Sequence, residues 1–419
     1  MNFQASPDLE GLYQNISPLI RVIWRYSPPH VKLFPMTPLP LYFDYAATTP
    51  VDDRVIQAMV ECLGRAGNFG NPASSSHAFG ATARQAVELA RRQVGELVGA
   101  PGDSIIWTSG ATESNNLAIK GVAMASTPER RHLITSVLEH KAVIDTVYQL
   151  EGQGFPVTWL TPDANGLIQP AAVQAALRPD TLLVSLMRVN NELGTLTDIG
   201  SIGRLVREHG ALFHVDAAQA TGKVAIDLAA LDVDLMSFSA HKTYGPKGIG
   251  ALYVGPRARG AVQAQIHGGG HEQGLRSGTL ATHQIVGMGS AFALAASEQQ
   301  AETQRIAALS QQLREGLLAL PGVSLNGCAV QRIPHTLNIA IARPGFNSAS
   351  LATALAVSST SACNSASNAA SHVLLALGLS PTQASSSVRI SLGRYSQATD
   401  VAQAIAVLDQ ALSAPAALW

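Results

Sequence analysis

The stretch Ser237–Gly248, SFSAHKTYGPKG, sets a histidine and a lysine just beyond an apolar run that stops at Ser239. The chain has six lysines against twenty-two arginines, so Lys242 is a scarce residue type standing where burial ends. With Ser239 and His241 beside it, its amine is partly desolvated. Desolvation and a nearby anion tune a lysine amine for covalent bonding to a carbonyl. Other apolar runs also end in polar residues. Ala111, Thr112 and Glu113 follow IIWTSG, and His140 follows HLITSVLE. Asn190 and Asn191 follow LLVSLMRV, and Asp216, then Gln219, follow LFHV. An aldehyde cofactor bearing a phosphate would use this set. The small residues of SGAT, with free backbone N–H groups, suit a phosphate, as do Ser239 and His241. Asp216 would pair with a pyridinium nitrogen and keep the ring an electron acceptor. His140 would lie against the ring face. These roles describe pyridoxal 5'-phosphate, carried on Lys242.

Plainer readings stand beside these. SGATES alone reads more readily as an ordinary helix N-cap. Asp216 reads equally as a strand-end cap, and single histidines are often structural. His214 and Asp216 suggest a metal pair, but are read as facing opposite sides of a strand. His267 and His271 have an HxxxH spacing, yet the glycines of HGGGHEQG deny them a helix. No metal is expected.

The chemistry requires elements that bring these residues to one rim. From about residue 50 to 295, apolar runs such as SIIWTSG, HLITSV, PVTWLTP, TLLVSLM, ALFHVDAA and VDLMSFSA alternate with helix-like segments. The helix-like ATARQAVELARRQVGELVG and DIGSIGRLVREHG end at glycine. Such alternation implies an α/β architecture, a mostly parallel sheet covered by helices, with its ligand beyond the carboxyl ends of the strands. Residues 296–419 read as a smaller α+β domain with a Ser-rich stretch, VSSTSACNSASNAAS, around Cys363. The expected organisation is an N-terminal extension over 1–40, a large cofactor-binding domain over 41–295, whose first residues join the small domain, and the small domain over 296–419.

Hydrophobic residues make up 47% and charged residues 14% of the 419, against about 25% charged in ordinary globular chains. That fits a large core and a subunit interface. A net charge of −1 gives no call for nucleic acid. No apolar run reaches the roughly 18 residues of a membrane span. The N-terminal segment lacks a basic start, Pro18 and Arg21 interrupt it, and Asp8 and Glu10 count against a transit peptide. It is expected to be a poorly ordered extension, or the product of a start assigned upstream of Met36. Three cysteines without a CxxC exclude a disulfide framework and point to a reducing, cytoplasmic compartment.

Taken in order, YFDYAATTPVD, FGNPASSSHAFG, TSGATESNNLAIKG, EHKAV, NNELGTLTDI, HVDAAQATGK, SFSAHKTYGPKGIGALY, HGGGHEQGLRSGTLATHQIVGMG and RISLGR resemble bacterial cysteine desulfurases of the NifS/IscS type. These are class V, fold-type I pyridoxal-phosphate enzymes, and the resemblance runs from about Leu41 to Arg394. It implies a seven-stranded-type large sheet and removal of sulfur from L-cysteine, giving L-alanine and a persulfide. By this resemblance Lys242 bonds the cofactor and later moves the substrate's Cα proton. Asp216 meets the ring nitrogen, Gln219 the phenolic oxygen, and His140 the ring face. Ala111, Thr112, Ser239 and His241 surround the phosphate, and Thr279 reaches the phosphate of the other subunit in a homodimer. Asn71, Asn191 and Arg389 hold the substrate carboxylate, for which a planar arginine fork is suited. Cys363 is the implied nucleophile, passing sulfur to an iron–sulfur scaffold or a tRNA-thiolation enzyme.

A lone cysteine is more often a small buried hydrophobe. Around Cys363, however, Ser, Thr, Ala and Asn show no apolar periodicity, which suits a mobile loop and a travelling thiolate. Cys62 and Cys328 are read as structural. Three features depart from the family pattern: Thr360 replaces a usual glycine, Arg188 a usual histidine, and little chain follows the last helix, where relatives dock a scaffold. A selenocysteine lyase or class V aminotransferase is the alternative on the same fold. A nicotinamide dehydrogenase is disfavoured, because GPKGIG has the wrong glycine spacing and precedes a strand.

Overall fold

The computed structural model describes residues 39–358 and 370–413. Thr360, Cys363, the extension up to residue 38 and the residues after 413 lie outside the described residues. After the short β1 (Leu41–Tyr42), the six apolar runs form strands β2 (Ile105–Thr108), β3 (His132–Ser136), β4 (Val157–Leu160), β5 (Thr181–Met187), β6 (Leu212–Asp216) and β7 (Leu235–Ser239). Every residue of β2, β3 and β7 is buried, which is why these runs read as continuous rather than alternating. With β8 (Gly250–Val254) they make a seven-stranded sheet in the order β2-β8-β7-β6-β5-β3-β4. Strands β3 to β7 pair in parallel, whereas β8 runs antiparallel to β2 and β7. The turn from Ser239 to Gly250 is too short for the crossover a parallel neighbour needs, so the chain doubles back.

Helices α1 (Asp53–Val60), α2 (Ala78–Val98), α3 (Ala111–Met124), α4 (Lys141–Gly152), α5 (Pro170–Ala176), α6 (Ile199–His209) and α7 (Thr282–Leu318) follow. Ile134, Val184, Phe213, Val215 and Phe238 pack one sheet face against α2, α6 and the first part of α7. Leu133, Leu183, Leu235 and Leu252 pack the other against α3 and α4. On β6, Phe213 and Val215 face the first core and Leu212 the second. His214 and Asp216, two apart, therefore share the second face, and the reading that set them on opposite sides is corrected. What separates them is their bonding. His214 is buried between Ser185 Oγ (2.8 Å) and Ser237 Oγ (2.9 Å), and burial pushes its pKa down to about 3.

A third core joins Phe43, Ile306, Leu313, Ile339, Val388, Ile390 and Leu408. It lies under the antiparallel sheet of β9 (Val323–Leu325), β10 (Thr336–Ile341) and β12 (Ser387–Ser391), in the order β12-β10-β9. Strand β11 (Leu355–Ala356) pairs in parallel with β1. The short α8 (His372–Ala376) and α9 (Pro381–Ser385) precede α10 (Ala398–Ser413). Helix α7 spans 37 residues without a break, so the boundary expected at 295/296 falls inside it. Its Ile285, Met288 and Phe292 belong to the first core, and its Ile306, Leu313 and Leu317 to the third. Among the described residues no helix is long and apolar enough to cross a membrane.

Candidate active site

The strand ends meet around a cavity of about 420 Å³. Ala111, Thr112, His140, Asn191, Asp216, Gln219, Ser239, His241, Lys242 and Arg389 all line it. Asn71 and Thr279 do not. Both are exposed, and Asn71 Oδ1 accepts from the Ala73 N–H at 2.9 Å. Arg188 is also absent from the lining; it turns away to donate to the Thr197 carbonyl.

Lys242 ends the short turn Ala240–Lys242 that follows β7. Its ammonium donates to the carbonyls of Ala46 and Ala47, each at 2.6 Å. Asp216, the last residue of β6, is 6% exposed. Its Oδ2 accepts from Asn115 Nδ2 at 2.7 Å and its Oδ1 from the Ala218 N–H at 2.9 Å. Two donors from different elements thus aim one carboxylate into the cavity.

The plain capping reading of SGATES does not hold. Gly110 precedes α3 at φ 154, ψ 177, a conformation essentially reserved for glycine, and no side chain caps the helix. The first N–H groups of a 14-residue helix therefore open on the cavity beside Ser109 and Thr112, as an anion requires. Glu113, in the same turn, is matched by Arg276 at 2.8 Å. His241 Nδ1 lies 3.1 Å from Thr48 Oγ1. Burial, then Lys242, Lys247 and Lys223, push its pKa down to about 4, so the ring is neutral near pH 7. His140 caps α4, its Nδ1 accepting from the Ala142 N–H at 3.1 Å, which puts the proton of the neutral ring on Nε2. Beside it, burial and the Asp216 charge push the Glu139 carboxyl well above the usual range, favouring its neutral form.

Arg389 reaches the cavity from β12 and is 1% exposed. Its Nη1 donates to the Asn191 carbonyl (2.9 Å), and its Nη2 donates to Asp44 Oδ1 (2.8 Å) and Ser358 Oγ (3.0 Å). Among the described residues, Arg389 Nε and Asn191 Oδ1 are buried with no hydrogen-bond partner. Orphaned polar atoms at a cavity wall suit a polar ligand. Asn115, Lys223, Asp44 and the Ala46 and Ala47 carbonyls escaped the sequence reading. The only signal for Asn115 was a polar side chain on the buried face of a helix.

The donor set fits a phosphorylated pyridine aldehyde: an ammonium for the aldehyde carbon, a carboxylate for the ring nitrogen and an uncapped helix terminus for the phosphate. Among the described residues no group of three or more His, Cys, Asp or Glu is placed to hold a metal.

The model of the class-V aminotransferase family matches residues 41–404. The chain is 60% identical over 364 residues to the cysteine desulfurase IscS of Azotobacter vinelandii, covering 87% of this chain and 90% of that one. It is 57% identical over 385 residues to IscS of Pseudomonas syringae pv. tomato, covering 91% and 95%. Among solved structures, a NifS-like protein superposes with a TM-score of 0.82 at 34% identity, over 90% of this chain and 100% of that one. A structure of SspA in complex with cysteine gives 0.76 at 41% identity, over 85% and 100%.

Proposed function

The chain belongs to the class-V aminotransferase family and is a pyridoxal-phosphate-dependent cysteine desulfurase acting on L-cysteine, and within that activity we propose that Lys242, His140 and Cys363 carry the chemistry. The relatives' names do not favour a selenocysteine lyase or an aminotransferase. The observation that carries the site assignment is the meeting of Lys242, Asp216 and the uncapped start of α3 on one cavity.

Thr112, Ser239, His241 and the N–H groups from Ala111 onward hold the phosphate. Asp216, fixed by Asn115, keeps a proton on the ring nitrogen. Gln219 would donate to the ring oxygen, and His140, whose Nε2 carries the proton, would sit beside the ring and exchange protons there. The bound cofactor supplies an electron sink that lets the substrate's C–S bond break. Arg389 and Asn191 orient the substrate carboxylate, and Asn71 joins them only in the assembled enzyme. Lys242 moves the proton at Cα. Cys363 takes the substrate sulfur as a persulfide, and alanine leaves. The described chain on either side of it supports this: Ser358 bonds Arg389 and Asp44, and Ser371 donates to Glu192, next to Asn191.

The working unit is a homodimer, Thr279 of each chain serving its neighbour's phosphate. Val60, Leu63, Phe69, Phe79 and Leu89 are exposed, with the Phe69 and Phe79 rings 5.3 Å apart, an apolar set that supports an interface. The free thiols of Cys62 and Cys328 suit a cytoplasmic setting. The sulfur acceptor is an iron–sulfur scaffold or a tRNA-thiolation enzyme.

The test is to incubate the holoenzyme with L-cysteine and a reductant, measuring alanine and sulfide together. Lys242→Ala should lose the visible absorption and both products. Cys363→Ala should keep the absorption and release no sulfide; undiminished sulfide from that variant would remove Cys363 from its role.

A further inference from the structure

Behind Lys242 lies a second, smaller space that the steps above do not use. Lys223, Tyr244, Glu302, His335 and Arg394 surround it, and its volume of about 10 Å³ is near that of a single water site. Lys223 is half-buried, and its Nζ donates to Gln219 Oε1 at 2.9 Å. Gln219 Nε2 donates to the Ala46 carbonyl at 2.8 Å. The same carbonyl accepts from Lys242 Nζ at 2.6 Å. One chain of hydrogen bonds thus joins the two lysines.

The polarity of that chain is set on both sides of the Gln219 amide. An ammonium has three donors and no acceptor, so the end of the Gln219 amide that faces it must be the oxygen. The NH2 group then points to Ala46 and the cavity, where it can only donate. A carboxamide has nearly the same shape in either orientation, so its partners decide which end faces the ligand: the Lys223 ammonium on one side and the Ala46 carbonyl, which can only accept, on the other.

We propose that Lys223 is a positioning residue of this enzyme, locking the Gln219 carboxamide so that only N–H donors face the cofactor's ring oxygen. The proposal rests on the reading of the cavity as the cofactor site. Burial, then Lys242 and Arg389, push the Lys223 pKa down to about 7, with Glu302 opposing. Neighbouring His241 and His335 are themselves held neutral, at about 4 and about 3. The ammonium can only donate to the amide, whereas the neutral amine also carries a lone pair, so above about pH 7 the Ala46 carbonyl is left to hold the orientation.

The test is an absorption titration of the holoenzyme without substrate, following the proton shared by Lys242 and the bound cofactor. Loss of a donor at the ring oxygen raises that midpoint, so Lys223→Met should shift it upward by about one pH unit. Lys223→Gln, whose amide presents either end, should shift it in the same direction while sparing the fold. Gln219→Ala should do likewise, and the double variant should move less than the sum, because one residue acts through the other. Midpoints unchanged in both Lys223 variants, or shifts that simply add, would overturn the lock alone. A wild-type protein that takes up no chromophore would overturn the cofactor reading and the lock with it.

Discussion

Asp216 is useful only while it is held, and Asn115 supplies one of its two fixed donors. Asn115→Ala removes a hydrogen bond to a charged group, which is worth about 1.5–3 kcal/mol. Cofactor affinity should fall about tenfold or more by the same arithmetic. Absorbance titration of the cofactor-free protein measures this, with the denaturant midpoint as a control; unchanged affinity would show that the Ala218 N–H suffices. The sequence made Lys242, His241 and Asp216 legible because each is a polar residue at the end of a buried run. Asn115 and Lys223 were not legible, since their roles exist only across elements. Arg389 came from family resemblance, its partner Asp44 being 345 residues away in the chain.

Between α2 and α7 the packing is close enough to depend on one missing side chain. A Cβ on Gly289 would lie 2.5 Å from both Cα and Cβ of Ala90. Gly289→Val should therefore force the helices apart and destabilise the protein by about 1–3 kcal/mol, read from chemical denaturation. Unchanged stability would mean the helices yield freely. The six strands from β2 to β7 could be read from their runs, and so could α2 and α6 from their spacing and terminal glycines. The domain boundary could not: 282–318 holds no proline, its Gly287, Gly289 and Gly316 do not break the helix, and the helix continues from one core into the next. The antiparallel course of β8 was set by turn length, which strand patterning alone does not express.

Across the whole molecule, pH acts through histidines that the fold keeps neutral. Burial pushes His214 and His335 down to about 3, and burial with nearby lysines pushes His241 to about 4. In the unfolded chain each titrates near 6.5. Between about pH 6.5 and 4 the unfolded state therefore binds more protons, so stability rises with pH and is lost as pH falls through that window. Thermal melting at pH 7 and 4.5 should show the drop. His335→Leu should lessen it, because both ring nitrogens of His335 are buried without partners among the described residues; an unaltered pH profile would exclude His335 as a contributor. Arg389 is anchored among the residues of the third core, whereas Lys242 hangs from the first. On the roles proposed for these two residues, an amino acid gripped at its carboxylate by one and at its amine end by the other would be a strut between two separately packed cores, inserted and withdrawn once per turnover. The enzyme would then be stiffest while either amino acid spans the cavity, and would slacken as alanine departs.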